Sequence, residues 1–204
     1  MTILSRNDQN GRSMVEMLGV LAIIGVLSVG GISGYSKAMA KFKLTKAQDQ
    51  ITMMLMNIRT AYATSPSYSG LSDETAIDFN IAPGDMLIDS ANLGNAFGGA
   101  AHVYACDNPP TGAAACLGSA GGSAQYFAIA MNSLGRDSCM SLASSDWGSD
   151  GLIGMIVAPA AGGEGGEGAT GVSAAATDLP LTLGEAGDAC GERGSYSNVT
   201  WIYY

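Results

Sequence analysis

The sequence predicts an α+β fold in which one very long N-terminal helix precedes a strand-bearing head. Three observations carry this. There is no proline before Pro66. The twenty residues from Met17 to Ser36 carry no charge, and apolar residues then recur at steps of three and four. Beyond Ser65, turn signals rich in Gly and Pro separate short β-branched and aromatic runs.

Residues 1–11 are polar and end in Gly11. Glu16 heads the apolar run, which as a helix spans roughly 30 Å, the thickness of a bilayer's hydrocarbon. An ionisable group at that boundary is expensive unless paired, which makes Glu16 a functional candidate. The stretch Gly11-Arg12-Ser13-Met14-Val15-Glu16, followed by an apolar helix, resembles the processing site of type IV prepilins. In that family a membrane peptidase cuts after the glycine, and the glutamate becomes the fifth mature residue. Two rival readings exist. One is a signal peptide cut after Ala38-Met39-Ala40, and the other is a plain membrane anchor. The run is longer than the usual ~7–15 residues of a signal peptide, and Glu16 lies on its N-terminal border. Only the prepilin reading gives Gly11 and Glu16 a role.

From Ser36 to Tyr62 the pattern is amphipathic. Leu44, Ala47, Ile51, Met54, Leu55, Ile58 and Tyr62 share one face, and Lys37, Lys41, Lys43, Lys46, Asp49 and Arg59 supply polar positions. One helix from near Ser13 to near Thr64 is expected, roughly 75 Å long. Its first half is apolar all round and needs neighbouring helices; its second half is one-sided and needs a sheet. Met53, Met54 and Met56 read as packing residues rather than a metal box. Gly30-x-x-x-Gly34 fits the pattern that lets helices approach closely.

Ser65-Pro66-Ser67-Tyr68-Ser69-Gly70 ends the helix. Residues 70–123 read as loop-rich. Strands are expected at Ala101–Ala105, Gln125–Met131, Leu152–Val157 and Val199–Tyr204, and a short helix at Arg136–Ser144. Ala161–Gly171 reads as a Gly/Glu/Ala loop.

Charge divides the chain. Residues 12–59 hold six Lys or Arg against two acids, a net of +4; residues 60–204 hold two Arg against fifteen acids, a net of −13. So acidic a head repels phosphate and argues against nucleic-acid binding. The four lysines after the apolar run would, by positive-inside counting, lie in the cytoplasm. The cysteines argue the reverse. Cys106, Cys116, Cys139 and Cys190 all lie in the head, and an even count in an exported domain reads as two disulfides with three possible connectivities. We adopt export of the head, which leaves the lysines for the assembled state.

Catalytic and cofactor signatures are weak. Gly163-Glu164-Gly165-Gly166-Glu167-Gly168 matches a dinucleotide fingerprint in letters only, since its carboxylates would repel a pyrophosphate. His102 is the only histidine and has no nucleophile near it in sequence. Asp146-Trp147-Gly148-Ser149-Asp150-Gly151 reads as a solvated turn rather than a calcium loop. No enzyme activity and no cofactor are expected.

The head resembles the type IVb branch of pilins, which includes toxin-coregulated and bundle-forming pilins. Phe127-Ala128-Ile129-Ala130, then Cys139 within Asp137-Ser138-Cys139-Met140-Ser141-Leu142, and much later Cys190, carry this resemblance. It implies the pilin fold, a long helix packed on an antiparallel sheet, with Cys139 paired to Cys190. Cys106 and Cys116 are then the expected second pair, outside the branch's pattern. The implied layout is a leader at 1–11, a transmembrane and assembly helix at 12–36, an amphipathic helix at 37–64 and an acidic head at 65–204. The implied function is that of a structural subunit, held in the bacterial inner membrane and then polymerised into an extracellular pilus. Its implied partners are prepilin peptidase, the pilus assembly machinery and further copies of itself. Glu16 would pair with the α-amino group freed at Arg12 of a neighbour. Arg12 departs from the apolar residue that the family usually N-methylates there. A pseudopilin or minor pilin of a secretion system is the alternative within the family, and a non-polymerising tethered binding module is the alternative outside it.

Overall fold

The computed structural model describes residues 13–107, 124–148, 151–159, 172–175, 178–192 and 194–204. The chain divides into two compact units, Met1–Phe42 and Lys43–Tyr204. Helix α1, Ser13–Ala61, begins in the first and ends in the second.

In the first unit, α1 has no apolar partner among the described residues. Every residue from Met14 to Ala38 is exposed, including Val15, Leu18, Leu21, Val26 and Leu27. Glu16 lies in the first turn, where a carboxylate complements the helix dipole. By length and composition alone this helix is able to cross a membrane, its best window having a mean hydropathy of 2.2.

In the second unit the periodicity does what the sequence predicts. Ala47, Ile51, Met54 and Ile58 are each 0% exposed, at steps of four, three and four. Leu44, Leu55 and Tyr62 flank them, half-buried. Met53 and Met56 lie on the exposed side, so only Met54 of the three is a core residue. The helix stops at Ala61, somewhat before the expected Thr64, and Ser65 N–H then closes a turn on the Tyr62 carbonyl at 2.9 Å, ahead of Pro66.

The sheet has six antiparallel strands: β1 (Leu93–Gly94), β2 (Ala100–Cys106), β3 (Tyr126–Gly135), β4 (Leu152–Pro159), β5 (Val172–Ala175) and β6 (Tyr196–Tyr203). Their spatial order is β1-β2-β3-β6-β4-β5. Alternation along the strands sorts the side chains by face. Val103, Phe127, Ile129, Met131, Met155, Val157, Val199, Trp201 and Tyr203 join the core that contains Ile51 and Met54. Ala128, Ile156, Ile202 and Cys106 form a small cluster on the other face.

Four expected strands and one expected helix are present with shifted ends. β3 runs to Gly135 rather than Met131, because a register shift between Met131 and Leu134 lets the strand continue and bury Leu134. Ser133 there has a φ of 57°, and its N–H is satisfied by the Asn198 side chain at 3.1 Å. Helix α3 spans Arg136–Ala143. The stretch from Gly70 to Gly94 is less loop-like than expected: it holds helix α2 (Asp73–Asp78), a 3-10 turn at Gly84–Met86 and the whole of β1. Helix α4 (Leu183–Ala189) and β5 also lie outside the sequence reading. The expected loop Ala161–Gly171, and the fingerprint-like glycines within it, lie outside the described residues.

Candidate functional site

Two places concentrate the candidate residues: the start of α1 and the region closed by a disulfide. Gly11 and Arg12 lie outside the described residues; Glu16 is exposed in the first turn of α1. Around it stand Met14 at 77%, Val15 at 77% and Leu18 at 65% exposure. Soluble monomers do not present apolar surface on this scale, so these side chains require lipid or another chain. A Cβ added to Gly19, Gly25, Gly30, Gly31 or Gly34 would meet nothing within 4 Å. These glycines therefore create no contact inside the chain. They leave the helix surface low, the surface that close approach of another helix would need.

The disulfide joins Cys139 on α3 to Cys190, the C-cap of α4, with a Cα–Cα distance of 5.9 Å and both residues at 0% exposure. It closes a separation of 51 residues. Cys106 is also disulfide-bonded; Cys116, its expected partner, lies outside the described residues. Around the Cys139–Cys190 bridge several polar groups are paired, while the buried Arg136 Nε and Trp201 Nε1 have no hydrogen-bond partner among the described residues. Thr182 and Glu185 form a capping box at the start of α4. Their hydrogen bonds hold the Glu185 carboxyl below its usual value. The Arg136 guanidinium donates to the Gly187 carbonyl at 3.1 Å, tying α3 to α4. Ser197 donates to the Cys190 carbonyl at 2.8 Å, which anchors the start of β6. Trp147 donates to the Leu142 carbonyl at 2.9 Å and packs edge-on against Trp201.

A third group of residues fixes the segment between α1 and the sheet, and sequence reasoning did not find it. Lys46 pairs with Asp85 at 3.0 Å, and Gln50 donates to the same carboxylate at 2.9 Å. Burial alone would raise the Asp85 pKa, but the bonds from Lys46 and Gln50 outweigh it and hold the carboxyl below its ordinary value. Gln50 also accepts from Ala96 N–H at 3.2 Å, and Asn57 donates to the Ile81 carbonyl at 2.8 Å. At the sheet, Asp73 pairs with His102 at 2.7 Å and accepts from Val103 N–H at 2.7 Å. These partners are 24 to 46 residues apart, so no local pattern announces them.

Reactive chemistry is sparse. Among the described residues no group of His, Cys, Asp and Glu is placed to hold a metal ion. His102 is engaged by a carboxylate rather than by a nucleophile. Asn198, in the acceptor-like stretch Asn198-Val199-Thr200, sits within β6 and accepts from Ser133 N–H.

Comparison with known proteins bears on the whole of the second unit. A family model described as Bundlin matches residues 37–204. The crystal structure of the type IVb pilin from Salmonella typhi superimposes with a TM-score of 0.52 at 21% identity, covering 80% of this chain and 98% of that one. The structure of TcpA, a type IV pilin from the Vibrio cholerae El Tor biotype, gives a TM-score of 0.47 at 15% identity, covering 79% and 99%. The first of these shows a shared fold. No curated protein matches the chain.

Proposed function

This chain belongs to the bundlin family of type IVb pilins and is a pilus structural subunit; from that premise we propose that it is processed after Gly11 and polymerised through the first half of α1. Residues 12–36 hold the unassembled subunit in the inner membrane, and the same residues pass from lipid into the filament core. The machinery that moves them is the family's peptidase and assembly apparatus. Cys106 and Cys116 form the second disulfide of the head.

The observation that carries this reading is the helix from Met14 to Ala38, exposed along its length with Glu16 in its first turn. Such a surface is stable only in hydrocarbon or against copies of itself. Within a bundle of such helices, a lone carboxylate left unpaired costs roughly 3–5 kcal/mol. In the filament core the α-amino group freed at Arg12 of a neighbour is the cation that faces Glu16. The pair therefore selects the axial step, while the apolar contacts supply the adhesion.

Mass spectrometry of the mature chain and a Glu16→Ala substitution test this together. The expected result is a chain starting at Arg12. The substituted protein should keep a folded head and its place in the membrane, yet yield few or no sheared filaments. Normal filament numbers with Glu16→Ala would overturn the pairing mechanism.

A further inference from the structure

The opposing charge surpluses of the chain have definite addresses in the structure. Lys37 and Lys41 are four residues apart on α1, share one face and are both exposed. Among the described residues neither has a carboxylate partner, whereas Lys46 has Asp85. Like charges at this spacing weaken a helix. Among the described residues no carboxylate repays that, which directs the pair towards another molecule.

The carboxylates that fit are on the second unit. The disulfide and the bond from Arg136 to Gly187 hold α3 and α4 side by side. The residues that follow these two in sequence, Asp137 and Asp188, are exposed on the two helices, and Glu192 is exposed just past the α4 C-cap. Arg136 is engaged with the Gly187 carbonyl, and among the described residues no cation pairs with Asp137, Asp188 or Glu192.

We propose that Lys37 and Lys41 of one copy dock against Asp137, Asp188 and Glu192 of a second copy. The occupant is argued from charge complementarity. A helical face with two lysines meets three exposed carboxylates on and beside the joined helices α3 and α4, none of the five paired among the described residues, within totals of +4 for residues 12–59 and −13 for residues 60–204. Anionic lipid headgroups would also take the lysines, but they leave these carboxylates without a role. Exposed ion pairs add little adhesion individually. Mismatched like charges are strongly disfavoured, so the contact rejects wrong registers rather than holding subunits together. This inference rests on the polymerising-subunit reading above.

The test is a charge swap in the full-length chain, expressed with its assembly machinery. Sheared filament is measured relative to subunit in the membrane. Lys37→Glu with Lys41→Glu, and separately Asp188→Lys with Glu192→Lys, should each lower the yield at least about tenfold. The four substitutions together should return it to within about threefold of the unsubstituted chain. Milder variants, Lys37→Gln with Lys41→Gln, should give a partial loss of about threefold with an unchanged head melting temperature. A combined variant as poor as the worse single-sided one would overturn the proposal. So would a loss seen with the lysine reversal but not with the carboxylate reversal, which is the signature of a headgroup contact. An unsubstituted chain that forms no filaments would overturn the polymerising reading itself.

Discussion

Two stretches of one helix are built for different surroundings. From Met14 to Ala38 every residue of α1 is exposed, including side chains as apolar as Leu21 and Ile23. From Ala47 to Ile58 the same helix buries four residues completely against a sheet. The first stretch holds five glycines and is helical all the same, so the difference in burial lies in what covers the side chains rather than in helix propensity. The second stretch gains its hydrophobic stabilisation when the chain folds. The first gains none from the described residues of its own chain, and under the proposed function that gain is deferred to lipid or to other copies. A family that polymerises needs this division, because an intramolecular cover for the first stretch would compete with assembly.

The sharpest test lies in the head. Loop-closure entropy gives the Cys139–Cys190 bridge roughly 4 kcal/mol. Cys139→Ser with Cys190→Ser should therefore lower head stability in urea by about that much, with α4 lost first. Wild-type stability in the double variant would mean that capping and packing alone hold the region.

Ile51→Ala and Leu21→Ala form the direct comparison. Removing the buried Ile51 side chain should cost about 2–5 kcal/mol of head stability. The equivalent truncation at exposed Leu21 should leave the head's melting curve unchanged while reducing filament yield. Equal destabilisation by the two would break the comparison.

Tyr203 gives a pH-dependent version. Burial pushes its phenol up to about 12 from 10.0, against the lowering influence of nearby Arg59, whose guanidinium lies 5.8 Å from the ring centre. A raised folded value means the stabilisation is whole below pH 10 and is lost as pH rises from 10 towards 12. Tyr203→Phe should flatten that decline, read by thermal melts across the alkaline range. The smallest effect is expected at Asn57, whose replacement by alanine leaves the Ile81 carbonyl without its donor and should cost about 1 kcal/mol in urea unfolding.

Much of this architecture was legible, and the reasons differ by element. α1 was readable because proline is absent and the apolar spacing is regular over many turns. Four strands were readable as apolar, β-branched or aromatic runs. The Cys139–Cys190 pairing came from family resemblance, because four cysteines alone allow three connectivities. α4 was missed because Gly184, Gly187 and Asp188 are poor helix formers. Its capping box and the disulfide hold it instead. α2 has six residues, too few for a period to show. β5, Val-Ser-Ala-Ala, has little β-propensity and is held by pairing with β4. At the start of α1 the candidate residues were legible as chemistry, but the role proposed for Glu16 is a contact with another molecule, which the fold of one chain does not test. The clamp of Lys46, Gln50 and Asp85 was illegible for the opposite reason: its parts meet only once the chain has folded.

The order of the strands has a consequence for how the molecule is made. β6 is the last element of the chain, yet it lies in the middle of the sheet and pairs with both β3 and β4. Until Tyr196–Tyr203 leaves the ribosome, β1 to β3 and β4 to β5 are two separate ribbons with open inner edges. A chain cut short anywhere before Tyr196 lacks the strand that joins them. The fold thus makes closure of the sheet depend on one late strand: a chain without Tyr196–Tyr203 keeps the bare edges of β3 and β4, on which proteases and chaperones act.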